Sequence, residues 1–223
     1  MHTKRTAIVA GASGLVGQEL IRQLAENPDY SEVVALVRKK LDFQHPKLRQ
    51  EIIDFDHPDP AKIVGDDYYC AMGTTLSKAG SKAAQYRVDC EYPVAIGKIA
   101  RANGCKQCLL VSSIGADAHS SNFYLRTKGD LEQQLSQMGF EAFISGRPSM
   151  LFGDRKEFRP LERIGIPLFR LFEPLMTGKW KKYRGINASA VAAALIALAG
   201  KGVQGTRFVE SDELQAIAAG DRR

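Results

Sequence analysis

A tyrosine, a lysine and a pair of serines in this chain have the types and spacing of a proton-transfer site. Tyr124 and Lys128, in Tyr124-Leu-Arg-Thr-Lys128, stand one helical turn apart and share a face if the segment is a helix. An ammonium that close favours the phenolate by charge proximity, and the phenol can then exchange a proton with substrate near neutral pH. Of the seven tyrosines, only Tyr124 has a lysine four positions on. Ser112 and Ser113 close an apolar run that begins near Gln107. A hydroxyl there can hold a carbonyl oxygen while hydride arrives from a nicotinamide.

A nicotinamide needs a place to bind, and the start of the chain provides a pattern for one. Gly11, Ala12, Ser13, Gly14, Leu15, Val16 and Gly17 lie between an apolar β-type stretch, Thr6 to Ala10, and a segment whose Leu20, Ile21 and Leu24 recur at helical spacing. Strand, glycine turn and helix form the context in which such glycines read as a dinucleotide fingerprint. One allows the tight turn, one lets the backbone approach the pyrophosphate, and one lets helix and strand pack closely. The N–H groups and dipole of the helix's first turn then face the phosphates. After the second apolar run, Glu32 to Val37, an NAD site would carry an acid; here stand Arg38, Lys39 and Lys40. A guanidinium suits a 2′-phosphate, so NADP(H) is expected ahead of NAD(H). Asp54 is expected near the adenine and Gly73 against the dinucleotide.

Length and composition fit this reading. The 223 residues, 44% hydrophobic and 25% charged, suffice for one domain with a sizeable core. No apolar run is long enough to span a bilayer. The basic and apolar start reads as the first strand of a cytoplasmic protein, because Gly11 and Gly14 interrupt the run. The net charge of +6 favours acidic partners, and a phosphate-bearing cofactor suffices. Cys105-Lys-Gln-Cys108 has redox or zinc spacing but no second pair or nearby histidine, and no metal site is expected.

Along the chain, strands alternate with helices, which implies an α/β fold with a doubly wound parallel sheet, the Rossmann type. The expected strands include 51–55, 67–72, 107–112 and 141–145. Between them, residues 77–84 read as a loop and 83–103 as a long helix that Pro93 kinks or splits. Asn122 or Ser121 can cap the helix carrying Tyr124. Residues from about 151 to 223 read as a small C-terminal lobe on a single domain, with a helix within 160–172, an alanine-rich helix over 187–199, a strand at 206–209 and a last helix over 212–219. Lys179-Trp-Lys-Lys-Tyr-Arg184 interleaves cations and aromatics; it reads as a solvated loop with Trp180 and Tyr183 anchoring the lobe, and nucleic-acid binding is not expected.

Taken in order, these motifs resemble the atypical branch of the short-chain dehydrogenase/reductase superfamily. Ser112-Ser-Ile-Gly-Ala-Asp117, Ser121-Asn-Phe-Tyr-Leu125 and Lys128-Gly-Asp-Leu-Glu132 are most similar to the Tat-interacting-protein-like oxidoreductases. Asp54-Phe55, Gly73-Thr74-Thr75 and Lys78-Ala-Gly80 fit the same group. The resemblance implies that Ser113 polarises the substrate oxygen, Tyr124 donates or accepts the proton and Lys128 binds the nicotinamide ribose. It also implies that Phe55, Thr74, Thr75, Ser112, Tyr124, Arg147 and Pro148 help line the cofactor site, with Arg147 to Gly153 passing the nicotinamide. The substrate loop between Ser113 and Tyr124 is short, and the C-terminal lobe is small for an enzyme of nucleotide sugars. The implied activity is NADPH-dependent reduction of a small carbonyl compound. The alternative is an NADP(H)-binding regulatory or redox-sensing protein that acts through a protein partner; a homodimer is compatible with either.

Overall fold

The structure, a computed structural model, describes residues 4–153 and 178–220. Seven parallel strands make the central sheet in the order β3-β2-β1-β4-β5-β6-β9. Their ranges are β1 Arg5–Ala10, β2 Tyr30–Val37, β3 Leu48–Ile52, β4 Asp67–Cys70, β5 Gln107–Val111, β6 Ala142–Arg147 and β9 Gly205–Glu210. A separate pair, β7 Leu151–Phe152 and β8 Ile186–Asn187, is also parallel. The α-helices among the described residues are α1 Leu15–Glu26, α2 Leu76–Ala79, α3 Lys82–Tyr86, α4 Tyr92–Ala102, α5 Phe123–Ser136, α6 Ala188–Ala199 and α7 Ser211–Ala218.

The inner strands are apolar on both sides because helices cover both faces. Ala7, Val9, Val33, Ala35, Leu109 and Ile144 pack with α1, α6 and α7; their neighbours Ile8, Ala10, Val34, Leu36, Cys108 and Leu110 pack with α4 and α5. The period of two along each strand thus feeds two cores. Where β1 gives way to β4, the strand order reverses, and ligands of such sheets sit in the crevice beyond the strand ends there. The opposite end of the sheet is closed by Arg5, which donates to Asp67 (2.8 Å), and by Tyr30, whose hydroxyl meets both Asp67 and Tyr69. Burial pushes the Asp67 carboxyl upward, against the Tyr30 hydrogen bond and the Arg5 charge, which pull it down.

Several elements differ from the sequence reading. The third strand runs from Leu48 to Ile52, not over 51–55, because its register pairs Leu48 with Val33 and Ile52 with Val37, where β2 ends. Within 77–84, one helical turn, α2, is capped by Thr75, and Ser81 caps α3. The long helix runs without a gap in sequence from Lys82 to Ala102 but includes a π turn, Arg87–Glu91, just ahead of Pro93. Pro93 has no N–H for the carbonyl of Asp89, and the widened turn instead closes through the Tyr92 N–H to the Arg87 carbonyl.

Within 151–223, the described residues from Ile186 onward return to the main body: α6 lies beside α1, where Gln23 donates to the Ser189 carbonyl (3.1 Å), and β9 extends the sheet next to β6. The helix expected within 160–172 lies outside the described residues. Trp180 is not an anchor; the residue is 67% exposed, and its ring lies tilted at 5.8 Å from that of Tyr183, which is 41% exposed.

Candidate active site

The sequence-predicted residues gather beyond the carboxyl ends of the strands. Gly11 follows β1, Arg38 follows β2, Asp54 and Phe55 follow β3, Gly73 follows β4, Ser112 and Ser113 follow β5, and Pro148 follows β6. Gly11 adopts φ +84°, and a Cβ there would lie 2.4 Å from the Ala71 carbonyl oxygen. A Cβ on Gly17 would lie 2.0 Å from the Gly11 carbonyl oxygen, so α1 packs onto the turn through bare backbone.

These residues fit a dinucleotide. The α1 N-terminus has Gly14 as its cap, no side chain capping it and no acid in its first turn, which leaves its N–H groups and positive end to a phosphate. Ala12 is buried under the turn and Ser13 exposed; Gln18 donates to the Ser13 carbonyl (2.9 Å) and steadies it. Leu15 reaches the chain just beyond β7: a Cβ on Gly153 would come within 2.8 Å of Leu15 Cδ1. Arg38, Lys39 and Lys40 are exposed. The loop after them is pinned by Gln50, which accepts from the Leu41 N–H (2.7 Å) and donates to the Phe43 carbonyl (3.1 Å). Asp54 is exposed and accepts from the Asp56 N–H, while Phe55 is buried against the Tyr92 ring at 5.7 Å.

Tyr124 and Lys128, the pair with proton-transfer spacing, both lie in the first half of α5. Asn122, not Ser121, caps that helix, accepting from the N–H groups of Tyr124 (3.0 Å) and Leu125 (3.2 Å). Tyr124 is 39% exposed, whereas Lys128 is 4% exposed and donates to the Met72 carbonyl (3.2 Å). The tyrosine is thus open to solvent, whereas the lysine is turned into the protein toward the end of β4. Ser113 is half-buried, and among the described residues its hydroxyl donates to the Ile114 carbonyl at 3.3 Å. Ser112 is buried and its hydroxyl has no partner among the described residues, an acceptor and donor left over just after β5.

Gly129 explains how the Ser113 loop reaches this helix. A Cβ at 129 would lie 2.1 Å from the Ala118 backbone nitrogen, and the Asp117 N–H donates to the Leu125 carbonyl (3.2 Å). Gly129→Ala should therefore lift the loop and cost about 1–3 kcal/mol of stability, measured by urea unfolding. A glycine inside an amphipathic helix was the sequence signal for this contact.

Arg147 spends its guanidinium on Glu132, donating from Nε (2.9 Å) and Nη2 (2.6 Å), while Ser145 donates to the same carboxylate (2.7 Å). The Thr75 hydroxyl is engaged in capping α2, and the Thr74 N–H is held by Asp89 (2.6 Å). Pro148 contributes its carbonyl to the Ile114 N–H (3.0 Å), which carries the β5–β6 pairing on to the serines. Asp89, Gly129 and Glu132 were not singled out from sequence. The cysteines are all free and buried, and burial pushes the Cys105 thiol up to about 12.

A family model described as NAD(P)H-binding matches residues 11–141. The chain belongs to that family. Within it the chain groups with the atypical short-chain dehydrogenase/reductases and shares their nicotinamide cofactor. HTATIP2 of Rattus norvegicus is 33% identical over 198 residues, 86% of this chain and 80% of the relative. FMP52 of Candida albicans is 31% identical over 211 residues, 90% of each chain. The solved structure of MoeE5 in complex with UDP-glucuronic acid and NAD superposes with a TM-score of 0.70 at 15% identity, covering 96% of this chain and 81% of that one. That likeness concerns the fold, an NAD(P)-binding Rossmann sheet. The expected cytoplasmic location is corrected by this family: FMP52 is named a mitochondrial protein. The apolar run forms β1 in either case, so its brevity carried no information on location.

Proposed function

We propose that this chain is an NADPH-dependent reductase of a small aldehyde or ketone. The observation that supports this most is the pairing on the first turns of α5, an exposed tyrosine and, one helical turn on, a buried lysine whose amine reaches the turn that leaves β4. A reduced nicotinamide bound there supplies hydride to the carbonyl carbon. Ser113 donates a hydrogen bond to the substrate oxygen, and Tyr124 delivers the proton as charge builds on that oxygen. Lys128 holds the nicotinamide ribose, and its positive charge steadies the phenolate that Tyr124 becomes. The turn from Gly11 to Gly17 and the first turn of α1 hold the pyrophosphate.

Arg38 favours the 2′-phosphate of NADPH, supported by its exposed position directly after β2. Arg38→Ala is expected to weaken NADPH binding by about 10- to 100-fold and leave NADH nearly unchanged, the loss of one charge-assisted hydrogen bond. Equal losses for both nucleotides would remove the assignment. The activity itself is tested by NADPH consumption with a panel of small aldehydes and ketones. Saturable turnover of at least one supports the reading; tight NADPH binding without turnover of any member would count against it.

A further inference from the structure

The turn that leaves β4 is clamped from beneath by two groups of opposite charge on different elements. Lys128, on α5, donates to the carbonyl of Met72 (3.2 Å). Asp89, on the π turn ahead of α4, accepts from the N–H of Thr74 (2.6 Å) with Oδ1, while Gln85 approaches Oδ2 at 3.5 Å. Gly73 lies between the two clamped residues, and a Cβ placed on it would stand 3.8 Å from Lys128 Nζ and 4.0 Å from Asp89 Oδ1. Both charged groups are buried, Asp89 at 0% and Lys128 at 4% exposure, whereas Gly73 above them is exposed. Burial pushes the Asp89 carboxyl up, and the nearby Lys128 charge pulls it back. A carboxylate at that depth is costly unless it has hydrogen bonds and an opposite charge close by; the Thr74 N–H supplies the first and the nearby Lys128 ammonium the second.

Asp89 owes its place to the irregularity of its helix. Arg87–Glu91 is a π turn, and such turns turn a side chain out of the ordinary helical face, often at functional sites. The widened turn sets Asp89 under the β4 exit beside the amine of α5.

We propose that Asp89 is a positioning residue of the dinucleotide site: with Lys128 it clamps the turn Met72-Gly73-Thr74 and fixes where the Lys128 ammonium meets the nicotinamide ribose. This rests on the reading above that Lys128 holds that ribose. Asp89 acts through Lys128 and the turn, so removing its charge changes cofactor affinity only while Lys128 is present.

The test is a double-mutant cycle in NADPH affinity, read by nucleotide fluorescence, with Asp89→Asn, Lys128→Met and the double variant. Asn keeps an oxygen for the Thr74 N–H and removes the charge. The double variant removes both charges together and leaves neither buried without its partner. Asp89→Asn is expected to weaken NADPH binding about tenfold in the wild-type background and less than twofold in the Lys128→Met background. Unchanged affinity in Asp89→Asn, or an equal loss with and without Lys128, overturns the proposal while leaving the cofactor site intact. Failure of the wild type to bind either NADPH or NADH overturns the reading it rests on, and the proposal with it. A second measurement needs only the wild type: the Thr74 amide hydrogen should exchange slowly with solvent, and fast exchange contradicts the clamp.

Discussion

Replacing Tyr124 by Phe is expected to lower turnover by about 10²- to 10⁴-fold, the usual worth of a positioned proton donor. NADPH affinity should change little. The ring keeps its place on α5, Tyr124 is 39% exposed, and of the many residues expected to line the cofactor site the variant removes only one hydroxyl. Steady-state rates with a reducible aldehyde, beside a fluorescence titration with NADPH, separate the two effects. Loss of both together would make Tyr124 a residue of cofactor binding; retention of full turnover would remove it from the chemistry.

The second large effect concerns stability. Glu132 is 3% exposed and serves Ser145 and both donors of Arg147, whose guanidinium also lies 4.4 Å over the Phe208 ring. Removing the carboxylate by Glu132→Ala leaves a partly buried guanidinium without its counter-charge and is expected to cost about 3–5 kcal/mol. The double variant Glu132→Leu with Arg147→Leu should recover most of that loss, because the desolvation cost of both charges disappears together. Urea unfolding of the three proteins decides it. A loss below about 1 kcal/mol in Glu132→Ala would mean that the pair behaves as an exposed one.

How far the sequence discloses this arrangement depends on how local each feature is. The glycine turn is legible because its requirements, a positive φ at Gly11 and bare backbone at Gly17, are met within seven residues of each other. The Tyr124–Lys128 pair is legible because helical spacing alone brings the two together. The cap at Asn122 and the alternation of β and α elements follow from equally local patterns. The partners of Lys128 and Arg147 were not legible. Asp89 meets the Lys128 neighbourhood across two elements, and Glu132 reaches Arg147 from helix to strand, so only the packed sheet juxtaposes them. The π turn escaped notice because Pro93 announces a break without saying how the chain absorbs it. The place of β9 was likewise hidden: Thr206 to Val209 reads as a short strand, and its pairing with β6 is set by a crossover, not by its own residues. Trp180 shows the limit of composition, since an aromatic among lysines can as well face solvent as anchor a lobe.

The most direct test of the dinucleotide site at the Gly11–Gly17 turn is a fluorescence titration of the purified wild-type protein with NADPH and, separately, with NADH. Saturable binding of NADPH, tighter than that of NADH, is the predicted result and would place both the glycine turn and Arg38 in use. Binding of neither nucleotide would contradict the account, leaving the fold without the ligand that its strand ends are arranged to hold.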